Sequence, residues 1–155
     1  MATRRVKIGD IVEIETKDGL RYGQYSDRHK SYGAVLRMFG GAYSIRPESF
    51  DEMVQQEPVF ICLVPLGAAV SRGIFAVAGN AALPLAVIKF PLFRSGIVDP
   101  STRKVRTWWL WDGESEWRIG DLTEAQRKLP IRGVWNDTML IHRLESGWTP
   151  ETDST

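Results

Sequence analysis

The sequence predicts an α+β protein rich in antiparallel strands, with a curled sheet or SH3-like partial barrel and two or three short helices. Three observations predict it. Asp-Gly pairs at 18–19 and 112–113 sit between alternating segments, the spacing of β-hairpins. The apolar runs are short and rich in β-formers. Few stretches carry a helical period. The 155 residues fit one domain, with an N-terminal β unit over 6–46, the rest of a shared core over 47–148 and a polar, frayed tail over 149–155.

Along the chain, Val6, Ile8, Val12 and Ile14 alternate with charged residues, which reads as a half-buried strand. Asp18-Gly19 turns it back into a strand carrying Leu20, Tyr22 and Tyr25, with Gly23 expected to mark a bulge or tight bend. A polar loop, 26–33, precedes a third strand, 34–39. Pro47 and the acids Glu48, Asp51 and Glu52 suit the start of a helix whose apolar stripe is Phe50, Met53 and Val54. The run 59–66, "VFICLVPL", reads as a central strand. Another strand then leads to a Gly79-Asn80 turn and an extended stretch broken by Pro84 and Pro91.

A second hairpin spans 105–122. Val105, Thr107, Trp109 and Trp111 share one face, and Arg106, Trp108 and Leu110 the other. Thr123 and Gln126 form a capping box for a short helix. Residues 136–147 read as a helix capped by Asn136 or Asp137 and closed by Gly147, with a strand as the alternative.

Composition narrows the function. Hydrophobic residues make up 43% and charged residues 25%, a globular balance. Lys plus Arg is 20 against 19 acids, so the net charge of +1 gives no overall pull toward nucleic acid or acidic membranes. Cys62 is the single cysteine, which excludes an internal disulfide and suggests a reducing compartment. The first ten residues lack the apolar core of a secretory signal. The apolar stretch 59–93 is read as buried strands, because its longest uncharged run, Gly73 to Ile88, is too short for a membrane span.

The catalytic inventory is thin. His29 and His142 lie far apart, and no metal-ligand spacing or nucleophile motif is present. Cys62 sits in an apolar run, where a thiol is inert. The acids Asp112, Glu114, Glu116 and Asp121 read as a solvated turn rather than paired catalytic carboxylates. No catalytic, metal or cofactor residue is assigned.

Four of six tryptophans fall within residues 108–117. Single-strand nucleic-acid binders set aromatics in a basic groove, whereas these lie among acids. Burial is expected for most of the rings, Trp109 and Trp111 above all. Tryptophan is also enriched at binding hot spots. Asp112, Glu114, Glu116 and Trp117 are therefore the candidate partner-binding residues.

The opening "KIGDIVEIETKDGLRYGQY", followed by "PVFICLV" and "GIFAVAGNAALP", resembles the immunity protein 26 family of bacterial polymorphic-toxin systems. The matching positions are Gly9, Asp10, Ile14, Asp18, Gly19, Tyr22 and Gly23, then Gly79, Asn80 and Leu83, and they cover roughly residues 6–93. The family's usual tryptophan before the Gly-Asn turn is absent, Phe75 standing in that region. The resemblance implies a non-enzymatic cytoplasmic protein that binds and blocks a cognate toxin domain. It carries over no toxin-facing residue. Two other readings stand beside it: a small-barrel module for nucleic acid or peptide, and an enzyme using the carboxylates near 112–121.

Overall fold

The computed structural model describes residues 5–155; residues 1–4, part of the stretch read above for a signal segment, lie outside the described residues. Among the described residues the fold is α+β and β-rich, with two antiparallel sheets and three short α-helices.

The larger sheet is built from β1 (Asp10–Thr16), β2 (Gly19–His29), β3 (Gly33–Met38), β4 (Phe60–Val64) and β5 (Ala76–Asn80), in the spatial order β4-β3-β2-β1-β5. Its end strands β4 and β5 do not pair with each other, so the sheet is open. The expected curled sheet or partial barrel is therefore corrected. Closure would need β4 and β5 as partners. Instead the outer edge of β4 is taken by the segment before the last helix, where the Trp135 amide donates to the Leu63 carbonyl at 2.8 Å.

Asp18-Gly19 turns β1 into β2 as expected, with Thr16 opposite Gly19. Strand β2 runs further than expected, to His29, with Asp27, Arg28 and His29 pairing with β3 instead of forming a loop. Gly23 is not the bulge. It pairs in regular register with Val12 and Met38, and a Cβ there would lie 2.4 Å from the Met38 sulfur. Close packing requires the glycine, and the bulge falls between Tyr25 and Asp27. Strand β1 is also shorter than its alternation suggests: it starts at Asp10, leaving Ile8 exposed.

Both faces of this sheet are covered. On one face Val12, Ile14, Leu36 and Cys62 share a core with α1 (Leu66–Ser71) and with Leu140 of α3 (Asp137–Ser146). On the other face Ile11, Tyr22 and Phe39 pack under the segment carrying Phe50, Met53 and Val54. That segment is not the expected helix. It makes only one 3-10 turn, Met53–Gln55, although the apolar stripe is buried as read. Arg37 fixes it there, its buried guanidinium donating to the carbonyls of Val54 and Gln56 and to Gln24. Strand β4 has the burial of a central strand but stands at the sheet's edge. Helix α1 and a 3-10 turn at Leu85–Val87 interrupt the apolar stretch read as strands, and Leu85 is left 88% exposed.

The smaller sheet has the order β6-β7-β8, from β6 (Phe93–Ser95), β7 (Trp108–Trp111) and β8 (Glu116–Gly120). After it come α2 (Glu124–Arg127), opened by the Thr123/Gln126 capping box, and α3, capped by Asn136 and closed by Gly147 at φ 71°. The tail expected to fray over 149–155 instead folds back through a 3-10 turn, Pro150–Thr152, because Trp148 and Thr155 both donate to Asp153. Its Pro150 is buried, and the Pro150 carbonyl accepts from the buried Arg94 at 2.6 Å.

The residues that carried the family resemblance join β1 to β5. The Asn80 side chain donates to Asp10 at 3.1 Å, and the Ala81 amide donates to the Gly9 carbonyl at 3.0 Å. A Cβ on Gly9 would meet the Asn80 side chain at 2.9 Å. These positions are architectural.

Candidate protein-binding surface

The β7–β8 hairpin is fastened to the larger sheet at one end and free at the other. At the fastened end, Trp111 packs with Val35, Leu63 and Phe93 and is 5% exposed. His29, at the end of β2, holds the hairpin turn. Its Nδ1 accepts from the Ser31 and Tyr32 amides at 3.0 and 3.2 Å, so Nε2 carries the proton and donates to the Gly113 carbonyl at 2.8 Å. The ring also meets Trp111 edge-on, with centroids 4.9 Å apart. Gly113, at φ 98°, is needed here because a Cβ would lie 2.7 Å from Phe90.

Arg132 completes this end. Its guanidinium lies over the rings of Tyr32 and Trp111 and forms an ion pair with Glu116 at 2.9 Å.

Two residues back along β7 the surroundings change. Trp109 points to the same face as Trp111 but lies ~7 Å away. There it is 38% exposed. The expectation that Trp109 is core is thus corrected, and Trp108 is buried instead at 5%. Trp109 lines an open groove of about 650 Å³ with Ile97, Val98, Pro100 and the stem of Arg106. Ile97 is 90% exposed, a large apolar side chain held in water. The groove's near wall is a hairpin between β6 and β7, closed by a Val98–Val105 bridge. Its tip is set by Asp99, which accepts from Ser101 and pairs with Arg106 at 3.4 Å. Arg103 takes a positive φ of 59° at that tip.

The four sequence candidates lie around the adjacent turn and strand. Asp112 is exposed, but its carboxylate serves the turn, accepting from the amides of Glu114 and Ser115 at 2.9 and 2.8 Å. These bonds, that from Ser115 first, hold Asp112 below the usual carboxylate range. Glu114 is exposed, and Glu116 is tied to Arg132. Trp117 is 41% exposed, on the sheet face opposite Trp109, since it stands across from Leu110. The groove residues Ile97 and Val98 were missed in the sequence. Their signal was an apolar pair within a polar, turn-forming stretch, "SGIVDPSTRK".

Other chemistry finds little footing. Among the described residues, no group of three or more His, Cys, Asp or Glu side chains gathers to hold a metal. Cys62 is fully buried, and burial pushes its thiol pKa far up, which disfavours the thiolate. Also among the described residues, no helix is long and apolar enough to cross a membrane. No family model, curated protein or solved structure matches this chain.

Proposed function

We propose that this chain is a protein-binding inhibitor: a cytoplasmic immunity protein that neutralises a cognate bacterial toxin domain by contact. One observation carries the reading. A tryptophan and two aliphatic side chains, Trp109, Ile97 and Val98, gather along one groove open to solvent, whereas other exposed apolar side chains such as Ile45 and Leu85 do not line it. Large apolar side chains held together in water mark a binding surface. Trp109 and Arg106 are the residue types that dominate binding hot spots. The charges beside them are balanced, Arg106 against Asp99 and Arg132 against Glu116. That pattern suits the polar rim of a protein interface. Asp112, Glu114, Glu116 and Trp117 extend the surface around the hairpin. The toxin as partner comes from the sequence resemblance alone.

Co-expression tests the proposal. The chain should restore growth to cells expressing the toxin domain encoded beside it. Ile97→Asp and Trp109→Asp should each abolish the rescue while the protein stays folded. Cells that remain poisoned by that toxin, or rescue undiminished by both changes, would overturn it.

A further inference from the structure

We propose that β8 is a self-pairing edge, through which two copies of the chain join antiparallel into one continuous six-stranded sheet. The inference rests on the chain's own edge and does not require the toxin, although it uses Glu116 and Trp117, which the reading above counts in the surface around the hairpin.

Two of the four sheet edges are closed. The outer side of β4 is met by Trp135, and that of β6 by 130–132, where Arg94 and Arg132 exchange bonds with Pro130 and Arg94 at 2.8 Å. The other two, β5 and β8, have a strand on one side only. Strand β5, "AVAGN", offers small side chains with little to grip. Strand β8, "EWRIG", has no proline to interrupt pairing, and its edge charges, Glu116 and Arg118, are of opposite sign.

The hairpin fixes which backbone groups are free. The Asp112 amide donates to the Ser115 carbonyl at 3.2 Å, so 112 and 115 form a bonded pair. Bonded and open pairs alternate along an antiparallel ladder. Trp111/Glu116 is therefore open, Leu110/Trp117 bonded and Trp109/Arg118 open. The amides and carbonyls of Glu116 and Arg118 point away from β7, into solvent. Strand β7 is the neighbour of β8 in its sheet, and it leaves these outward groups unused.

The sequence of the edge selects its occupant. Around Trp117, the triplet Glu-Trp-Arg is complementary to itself when reversed. A two-fold axis at Trp117 sets Glu116 opposite Arg118 of the partner subunit, and the reverse. Isologous pairing of this kind is how symmetric dimers form. The outward groups of these residues then exchange about four backbone hydrogen bonds. Opposite charges face each other directly, a favourable cross-strand pair. The two Trp117 rings meet across the axis as an open pair, with Cα atoms ~4.5 Å apart. Glu116 remains bonded to Arg132, which holds its carboxylate on that face. A foreign strand would gain the backbone bonds but needs no such charge symmetry. So short an edge is smaller than the ~1,200 Å² of a standard stable interface, and the dimer is reversible.

A dilution series by analytical ultracentrifugation tests the proposal on the protein alone. The mass should rise from 17.5 kDa toward twice that value as concentration increases. Arg118→Pro removes an amide that β7 does not use. It should keep the monomer's unfolding midpoint yet weaken dimerisation at least ~10-fold, about 1.4 kcal/mol. Arg118→Glu should do the same by setting a like charge opposite Glu116 of the partner subunit, and Arg118→Glu with Glu116→Arg should restore the dimer at some cost to the Arg132 ion pair. A monomer at every concentration up to ~1 mM (a Kd of 1 mM being about −4 kcal/mol) would overturn the proposal. So would a dimer indifferent to Arg118→Pro, or a charge swap that restores nothing. A monomer whose Arg118→Pro variant loses toxin rescue would likewise overturn it, assigning the edge to a strand of the toxin and leaving the inhibitor reading intact.

Discussion

The two sheets of this protein use aromatic residues in opposite ways. In the larger sheet Tyr22, Phe39 and Phe60 are nearly sealed, and packed segments cover both faces. In the smaller sheet, Trp111 is sealed while Trp109, two residues away on the same face, lies in an open groove. Strand alternation fixes the face, but reach fixes the burial. Trp111 falls over β3 and β4, and Trp109 falls beyond their rim. The larger sheet is thus the scaffold, and the far end of the smaller one carries the exposed groove proposed above as the binding surface.

The largest expected break of this comparison is Trp111→Ala. It removes a ring shared by Val35, Leu63 and Phe93, and should cost about 3–5 kcal/mol of stability. Urea unfolding checks it, and a loss below ~1 kcal/mol would mean the sheets are not joined there.

Next is Arg37→Ala, which should cost about 2–3 kcal/mol by leaving Gln24 and the carbonyls of Val54 and Gln56 without their donor. The same unfolding curve measures it. Amide exchange over 50–56 should rise with it, because that segment is held by the guanidinium rather than by a helix.

His29→Ala should cost less, about 1–2 kcal/mol, since it removes the bond to the Gly113 carbonyl and two local acceptor contacts. Its signature is local: faster exchange at the amides of Glu114 and Ser115, with the larger sheet unchanged.

The smallest effect is pH-dependent. Arg46, donating to both Glu13 oxygens at 2.7 and 3.0 Å, holds that carboxyl below its ordinary value of 4.5, against the desolvation that would raise it. A depressed carboxylate adds stability that is complete above its ordinary pKa and lost as pH falls through the folded value. Glu13→Gln should therefore unfold earlier than wild type at neutral pH, and the two curves should converge well below pH 4.5. A gap that stays constant into acid would mean that Glu13 acts by packing alone.

Much of the scaffold was legible because its signals are local. Asp18-Gly19, the Thr123/Gln126 box and the Asn136/Gly147 caps each name a backbone geometry within a few residues. What was not legible depends on distant partners. Sheet closure turns on whether β4 meets β5 or Trp135, a choice made some 70 residues downstream of β4. The 47–58 stripe was read correctly for burial but not for helix. Its stripe is laid against a sheet by Arg37, which one turn suffices to do. Helix α1, "LGAAVS", has no cap or period of its own and forms where the core needs Leu66 and Ala69. At the candidate surface, the sequence placed Trp117 outside but put Trp109 in the core. Period two cannot say where a facing sheet ends.

The division between scaffold and binding surface is tested most directly by Trp109→Ala beside Trp111→Ala, with stability and toxin rescue measured on both. Trp109→Ala should keep its stability within ~1 kcal/mol of wild type and lose rescue, by ~2 kcal/mol or more of binding. Trp109→Ala unfolding as readily as Trp111→Ala, or rescuing as well as wild type, would contradict the account.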